Sequence, residues 1–295
     1  MRAALRSRES HAKPSDMGNV GSSRIRSAAL EEKKIRQSAL VIAGHGSTLN
    51  PDSSAPTLEH ARRIREMEIF AEVAVCFWKE EPGFSEVLRA VDSQTVFVVP
   101  NFISEGYFTR TVIPREMSLD GPTTHRGGRS IHYCEPAGNH PLMTSLLVRQ
   151  AKASAPQVAP AETSLFIVGH GTQLDEKSAA AARFQAECIS SGGEYAEVFP
   201  AYMEEEPFIA DWHKIASRPN VVVVPFFISD GLHSYQDIPV LLGIREETGP
   251  AASQADVFQE NPHHLRERTL FYTSAIGSAP EFAEILIDQA RRFRS

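Results

Sequence analysis

The sequence predicts an α/β fold of two homologous half-domains, each a parallel sheet joined by βαβ connections, which face each other across a cleft. The first observation is a duplication: the segments EEPGF and VVPNFIS recur 125 residues later as EEPFI and VVPFFIS. The second is a set of short apolar runs with almost no polar alternation, which is typical of parallel strands buried on both faces. The third is that amphipathic segments of helical length separate these runs.

Both copies are predicted to follow the same order of strands and helices. In the first copy the apolar runs predict strands at 39–43, 71–78, 95–103 and 130–134, with helices at 55–67, 83–91 and 140–152. In the second copy the strands are 165–169, 194–202, 221–229 and 269–273, with helices near 176–190, 207–216 and 279–293. The repeat offset later grows from 125 to 139, which places 14 extra residues (139 − 125) within 249–268.

The repeats divide the chain into four parts. Residues 1–36 hold nine Lys or Arg against four Asp or Glu and are predicted to form a flexible basic arm. The first half-domain is predicted at 37–153, a Pro- and Ala-rich linker at 154–163, and the second half-domain at 164–295. Duplication within one chain favours a monomer with pseudo-dimeric halves, with a homodimer as the alternative.

Composition disfavours several classes of protein. The net charge of −7 argues against a nonspecific nucleic-acid binder. No apolar stretch near the start is long enough for a signal peptide or membrane helix, so no membrane partner is expected. Cys76, Cys134 and Cys188 form no C-x-x-C pair, which argues against an iron–sulfur or cysteine–zinc site and predicts a cytoplasmic location. No phosphate loop occurs, so neither ATP nor a tightly bound cofactor is expected.

Three histidines follow predicted strands, at the sheet edge where parallel α/β folds bind ligands. His45 and His170 lie in Gly-His-Gly motifs, and His233 lies in Gly-Leu-His. Two neutral imidazoles suit a divalent transition metal with open coordination positions, so His170 and His233 are predicted to bind the metal and act in catalysis. The flanking glycines are predicted to allow sharp turns, leave the imidazoles uncrowded and contact substrate: Gly169, Gly171 and Gly231.

Acidic residues accompany these histidines in the second copy. Glu206, the last of three consecutive glutamates, is predicted to accept protons in catalysis, and Asp237 is predicted to contact substrate. In the first copy, Phe108 and Val112 occupy the positions of His233 and Asp237, so that copy keeps only half a site. His45 is therefore expected to be an auxiliary ligand across the cleft, a substrate contact or a relic of the duplication.

Together, the Gly-His-Gly motif, the glutamate–proline turn and VVPFFISDGLHSYQDIP at 223–239 resemble the CbiX/SirB group of class II tetrapyrrole chelatases. The resemblance covers 38–293 in two copies and implies a duplicated chelatase fold. It implies insertion of Co²⁺ or Fe²⁺, with Ni²⁺ also open, into sirohydrochlorin on the route to cobalamin or siroheme. The family's metal-binding histidines match His170 and His233. The substrate carries eight carboxylates, for which the candidate cations are Arg110, Arg115, Lys177, Arg183 and Lys214.

Two other functions stay open at this point. A carrier that binds metal or tetrapyrrole without turnover would fit the loss of a histidine from the first copy. A hydrolase or phosphatase could use Ser47 as nucleophile or a histidine as phosphate acceptor. The second copy, however, has Thr172 at the serine position, and no G-x-S-x-G motif occurs.

Overall fold

Two five-stranded sheets organise the computed structural model, which describes residues 29–48, 50–171, 176–247 and 255–293. The strand orders are β2-β1-β3-β5-β4 and β7-β6-β8-β10-β9, and every pairing is parallel except those of the edge strands β4 and β9. The predicted α/β fold of two parallel-sheet halves is confirmed. The strands are β1 Ala39–Gly44, β2 Glu72–Phe77, β3 Thr95–Pro100, β4 Thr123–Arg126, β5 Arg129–Tyr133, β6 Thr163–Gly169, β7 Glu197–Tyr202, β8 Asn220–Pro225, β9 His263–Leu265 and β10 Arg268–Tyr272.

The helices connect the strands in the predicted order. They are α1 29–36, α2 Ala55–Glu66, α3 Phe84–Val87, α4 Ile113–Glu116, α5 Met143–Ser154, α6 Glu176–Ser191, α7 Trp212–Ile215, α8 Ile238–Leu242 and α9 Phe282–Arg292. Two π-helical turns, Phe108–Val112 and His233–Asp237, lead directly into α4 and α8. None of the helices in the described ranges combines the length and apolar character needed to cross a membrane.

Several short strands and helices differ from those predicted from the sequence. Strands β4 and β9 were not predicted, because they are short and polar and form antiparallel hairpins at the sheet edges, where burial is slight. The helix predicted at 83–91 is regular only over Phe84–Val87, and the one at 207–216 is a 3₁₀ turn, Ile209–Asp211, followed by Trp212–Ile215. Strands β3 and β8 end at their prolines, so the apolar residues that follow lie in loops.

The boundaries of the predicted arm and linker also shift. Residues 29–36 form α1, in which Ile35 is 7% exposed and packs into the core, so this part of the predicted flexible arm is folded. Residues 1–28 lie outside the described ranges. The predicted linker shortens at both ends, because Ser154 closes α5 and Thr163 opens β6.

One hydrophobic core joins the two halves. Leu40 and Ile42 of β1 and Leu165 and Ile167 of β6 point into it, together with buried residues of α2, α5, α6 and α9. The alternate residues of each sheet, such as Val41 and Val168, face a separate outer core. The four helices therefore lie between the sheets and hold the halves together as one body.

Polar contacts fix the position of the halves at their junction. His60 Nε2 lies 2.7 Å from the carbonyl oxygen of Gly277, and Gln289 Nε2 donates to the carbonyl oxygen of Pro136 at 2.8 Å. Burial lowers the pKa of His60, so its ring is neutral and donates through Nε2 to this carbonyl. These buried bonds cross between copies and orient the two sheet edges toward a shared space.

Candidate metal centre

The two predicted metal ligands meet at the carboxyl edge of the second sheet. His170 follows β6, and His233 opens the π-helical turn that comes after β8. Parallel pairing of Val168 with Pro225 brings the ends of these strands to the same edge. The two ring centroids are 4.9 Å apart and the ring planes are inclined by 79°. The structure thus brings together the two imidazoles that the sequence selected, 63 residues apart in the chain (233 − 170).

Hydrogen bonds leave the Nε2 atoms of both rings available. His170 Nδ1 lies 3.1 Å from the carbonyl oxygen of Gly171, and His233 Nδ1 lies 2.6 Å from Asp237 Oδ2. A carbonyl or carboxylate oxygen only accepts, so each Nδ1 carries a proton and Nε2 is the ring nitrogen that can bind a metal. Asp237, predicted to contact substrate, here binds and orients His233, as carboxylates do behind metal-binding histidines.

The three consecutive glutamates have three different environments. Glu204 Oε1 lies 3.7 Å from His170 Nε2, whereas the side chain of Glu205 packs beneath Gly171. Glu206 is exposed, precedes Pro207, and forms no ion pair with either imidazole within the described ranges. The structure therefore places Glu204 beside the histidine pair, in the position that the sequence analysis assigned to Glu206.

The Gly-His-Gly turn needs glycine for two separate reasons. Gly171 has a φ of +67°, and a Cβ there would lie 2.6 Å from Tyr202 Cβ and 2.7 Å from Glu205 Cγ. At Gly169 a Cβ would meet Ala182 Cβ at 3.2 Å, which is a tight contact. Gly231 differs, because a Cβ there would only approach Ser53 Oγ, at 3.9 Å. The sharp turn expected around His170 is present, but Gly231 is not required for clearance.

The first copy keeps the shape of this arrangement. His45 follows β1, and its Nδ1 lies 2.8 Å from the carbonyl oxygen of Gly46. The ring of Phe108 lies against it with centroids 4.8 Å apart and planes inclined by 79°. Val112, in the place of Asp237, is buried in the outer core of the first sheet. The predicted loss of one nitrogen ligand from the first copy therefore leaves an aromatic pair with unchanged geometry.

Both Gly-His-Gly motifs open onto one cavity of about 740 Å³. This volume lies within the roughly 300–1,000 Å³ typical of small-molecule sites. His45, Gly46, Lys79 and Asn101 line it from the first copy. The second copy supplies Gly169, His170, Gly231, His233 and the apolar residues Phe226, Phe227, Ile228 and Leu232.

A polar network that the sequence analysis missed holds the loop before His233. Asn50 Nδ2 donates to the Tyr235 hydroxyl at 2.6 Å, and that hydroxyl donates to Asp52 Oδ2 at 3.0 Å. Asp230 Oδ1 accepts the N–H of Ala275 at 2.6 Å. Burial, with the nearby charge of Asp52, raises the pKa of Asp230 to about 6. No sequence signal links these residues, since the partners belong to different copies or lie far apart in the chain.

The candidate cations of the sequence analysis lie elsewhere. Arg110, Arg115 and Lys214 form surface ion pairs with Glu105, Glu116 and Asp211. Arg183 is exposed and is not part of the cavity lining, and the side chain of Lys177 lies outside the described residues. Within the described ranges, no group of three or more His, Cys, Asp or Glu side chains is arranged to hold a metal ion. The histidine pair is thus a two-ligand arrangement open toward the cavity.

Comparison with known proteins assigns the chain to a family. It matches the CbiX family twice, over residues 39–154 and again over 164–293. This chain belongs to the CbiX family. It is 38% identical over 270 residues to a protein of Halobacterium salinarum named probable sirohydrochlorin cobaltochelatase, a match that covers 85% of this chain and 90% of the relative. A sirohydrochlorin cobaltochelatase of Methanopyrus kandleri is 30% identical over 136 residues, 43% of this chain and 94% of the relative.

Solved structures of other proteins share the fold of this chain. DR2241 of Deinococcus radiodurans, a multi-domain protein with structural similarity to chelatases, matches with a TM-score of 0.71 and 28% identity over 86% of this CbiX chain. This chain spans 54% of that protein's length. SirB of Bacillus subtilis with Fe³⁺ matches with a TM-score of 0.65 and 15% identity, covering 86% of this chain and 94% of SirB. The expected resemblance to chelatases is confirmed.

Proposed function

We propose that this CbiX-family chain is a metal chelatase that inserts a divalent ion, Co²⁺ or Fe²⁺, into sirohydrochlorin. The observation that supports the proposal is the histidine pair: the two rings lie 4.9 Å apart in the lining of a large shared cavity, and each is hydrogen-bonded through Nδ1. The relative that is 38% identical along most of the chain, named a probable sirohydrochlorin cobaltochelatase, supports the same substrate. The metal is a substrate here, and no tightly bound cofactor takes part.

The imidazoles of His170 and His233 hold the incoming ion. Neutral imidazole binds Fe²⁺, Co²⁺ and Ni²⁺ with affinity that rises in that order, so cellular supply selects among them. The described part of the chain offers two protein ligands here, which leaves coordination positions for water and then for the nitrogens of the macrocycle. The Asp237 carboxylate behind His233 fixes the direction of that ring and makes it a stronger metal ligand.

Metal insertion releases two protons from the inner nitrogens of the macrocycle. Glu204 is the carboxylate placed to receive them one at a time, because its Oε1 lies 3.7 Å from His170 Nε2 and its side chain, which is 58% exposed, can release each proton to water. A carboxylate at that distance from the metal ligand attracts the cation before insertion and accepts a proton afterwards. This role belonged to Glu206 in the sequence analysis.

The alternative functions receive less support. Ser47 Oγ accepts the N–H of Asn50 at 3.2 Å, and the backbone N–H of Ser47 donates to Glu80 Oε1, as expected of a structured turn. A carrier and a chelatase differ in turnover: a carrier binds one equivalent of metal or tetrapyrrole, whereas a chelatase converts many.

We further propose that the protein is a pseudo-dimeric monomer in the cytoplasm and that its product passes to cobalamin or siroheme.

The test is multiple-turnover insertion, measured by absorbance with sirohydrochlorin and Co²⁺ in large excess over the protein. A chelatase converts many equivalents, whereas a carrier stops at one. His170→Ala and His233→Ala are each expected to lower kcat/KM at least about 100-fold, because each removes one of two metal ligands. His45→Ala is the matched control in the first copy and should lower it less than about tenfold. A result in which His45→Ala is the most damaging would contradict the assignment.

A further inference from the structure

The two walls of the cavity differ in chemistry although they descend from the same sequence. Phe102 and Ile103 line the cavity as Phe227 and Ile228 do 125 residues later, but other positions of the first copy are polar where the second copy is apolar or acidic. Asn101 faces the cavity in the place of Phe226, and Thr57 stands in the place of Ala182. The Asn101 amide donates to Thr57 Oγ1 at 2.8 Å, so these two substitutions act as one polar unit. The first copy therefore differs from the second in its cavity wall as well as at the position of His233.

The largest of these differences is a reversal of charge. Lys79 occupies the position of Glu204, the carboxylate beside the metal-binding pair. The backbone contact is the same in both copies, because the Lys79 N–H donates to the carbonyl oxygen of His45 and the Glu204 N–H to that of His170. A single structural position thus presents an acid near the metal in one half and a cation in the other.

Lys79 is a solvent-exposed basic residue that lines the cavity. It forms no ion pair within the described ranges, whereas Arg110, Arg115 and Lys214 are all paired. Its ammonium lies 5.8 Å from the centroid of the Trp78 ring, which contacts Phe108 in turn. Among the described residues that line the cavity, Lys79 alone carries a fixed charge. A chain with a net charge of −7 keeps an unneutralised cation here.

We propose that the first copy has become a carboxylate-binding wall and that Lys79 binds a peripheral carboxylate of the tetrapyrrole, fixing the macrocycle over the histidine pair. This inference rests on the proposed function, since it takes the polycarboxylate macrocycle as the ligand. The apolar wall of Phe226, Phe227, Ile228 and Leu232 contacts the ring system from the other side. In this proposal the second copy binds the metal, and the first copy, which has Lys79 but no second histidine, binds the carboxylates of the macrocycle.

The proposal is tested by binding of metal-free sirohydrochlorin, followed by absorbance, to the full chain and to Lys79→Ala. The variant is expected to raise Kd about tenfold and to raise KM by a similar factor, with a smaller effect on kcat, because one charge-assisted contact is lost. Lys79→Arg should bind within about threefold of the original chain, and Lys79→Glu should bind more weakly than Lys79→Ala. Lys214→Ala, which removes a paired surface lysine, is the matched control and should change neither constant.

Salt supplies a readout that a purely structural role would not produce. Raising ionic strength should weaken binding by the unmodified chain more steeply than binding by Lys79→Ala, because the variant has lost a screened ionic contact. Unchanged Kd and unchanged salt dependence in a Lys79→Ala protein that still inserts Co²⁺ would overturn the Lys79 proposal alone. An unmodified chain that binds sirohydrochlorin but never turns over would overturn the proposed function while leaving the Lys79 comparison measurable.

Discussion

The ring of Phe108 meets the imidazole of His45 edge to face, with centroids 4.8 Å apart and planes inclined by 79°. The corresponding values for His170 and His233 are 4.9 Å and 79°. The first copy therefore has the ring arrangement of the second, with a phenyl ring where the second copy has an imidazole. Each half of the molecule can serve as a control for the other.

Phe108→His should create a second metal site. The new imidazole would face His45 as His233 faces His170, and His45 Nδ1 already lies 2.8 Å from a carbonyl oxygen, which leaves its Nε2 available. Calorimetric titration with Co²⁺ should change from one bound equivalent to two. The second equivalent should bind about 10–100-fold more weakly, because Val112 supplies no carboxylate behind the new ring. A folded variant that still binds one equivalent would show that shape alone does not explain the site.

Glu204→Gln should lower kcat for Co²⁺ insertion by about 10²-fold, since a neutral amide accepts no proton from the macrocycle. Glu206→Gln is the matched control, because it makes the same change two residues away on an exposed side chain. Its kcat should stay within about twofold of the original. Steady-state absorbance assays at saturating Co²⁺ compare the two. The reverse order of effects would restore Glu206 to the role that the sequence analysis gave it.

Asp237→Asn should weaken Co²⁺ binding about tenfold or more without changing the amount of metal bound at saturation. The Asp237 carboxylate accepts the Nδ1 proton of His233 at 2.6 Å, and an amide keeps the hydrogen bond but loses the charge that makes the ring a better ligand. Titration of the protein with Co²⁺ under visible absorbance measures the change. Equal affinities would mean that Asp237 only contacts substrate, as the sequence first indicated.

Much of this arrangement can be predicted from the sequence, because the internal repeat and the apolar strand segments are both visible in the sequence itself. The offset of 125 residues aligns His45 with His170, and it shows that Phe108 stands in the first copy where His233 stands in the second. Parallel strands share one ligand-binding edge, so His170 and His233 could be placed together without coordinates. The fold class followed from the same apolar runs.

Other features depend on side-chain direction, which the sequence does not encode locally. Three glutamates follow β7, and only the path of the turn decides that Glu204 approaches His170 while Glu206 faces solvent. The bonds from Tyr235 to Asn50 and Asp52 join residues about 180 positions apart. Strands β4 and β9 are too short and polar to carry an apolar pattern. The positions of these side chains, hydrogen bonds and edge strands depend on contacts between distant parts of the chain, which composition and local patterns do not reveal.

Asp230→Asn should make the protein more stable at neutral pH. Burial raises the pKa of Asp230 to about 6, above the value of about 3.9 for an aspartate in an unfolded chain. Between these values the folded state binds more protons, so the stability that this group contributes is present below about pH 4 and is lost as pH rises through about 6. The difference amounts to about 3 kcal/mol by pH 7.

Urea unfolding at several pH values between 4.5 and 7.5 measures this effect. The free energy of unfolding of the unmodified chain should fall relative to that of Asp230→Asn as pH rises through this range. The asparagine can still accept the N–H of Ala275, so the comparison isolates the charge. Parallel stability curves for the two proteins would show that Asp230 is ionised in the folded state without penalty.

The central claim is that His170 and His233 together hold the metal that is to be inserted. The most direct measurement is a crystal structure of the protein with Co²⁺, with the ion located by anomalous scattering at the cobalt edge. We expect a single strong peak at a coordination distance of about 2.1 Å from both Nε2 atoms. A peak bound by His45, or one that leaves either His170 or His233 uncoordinated, would contradict it.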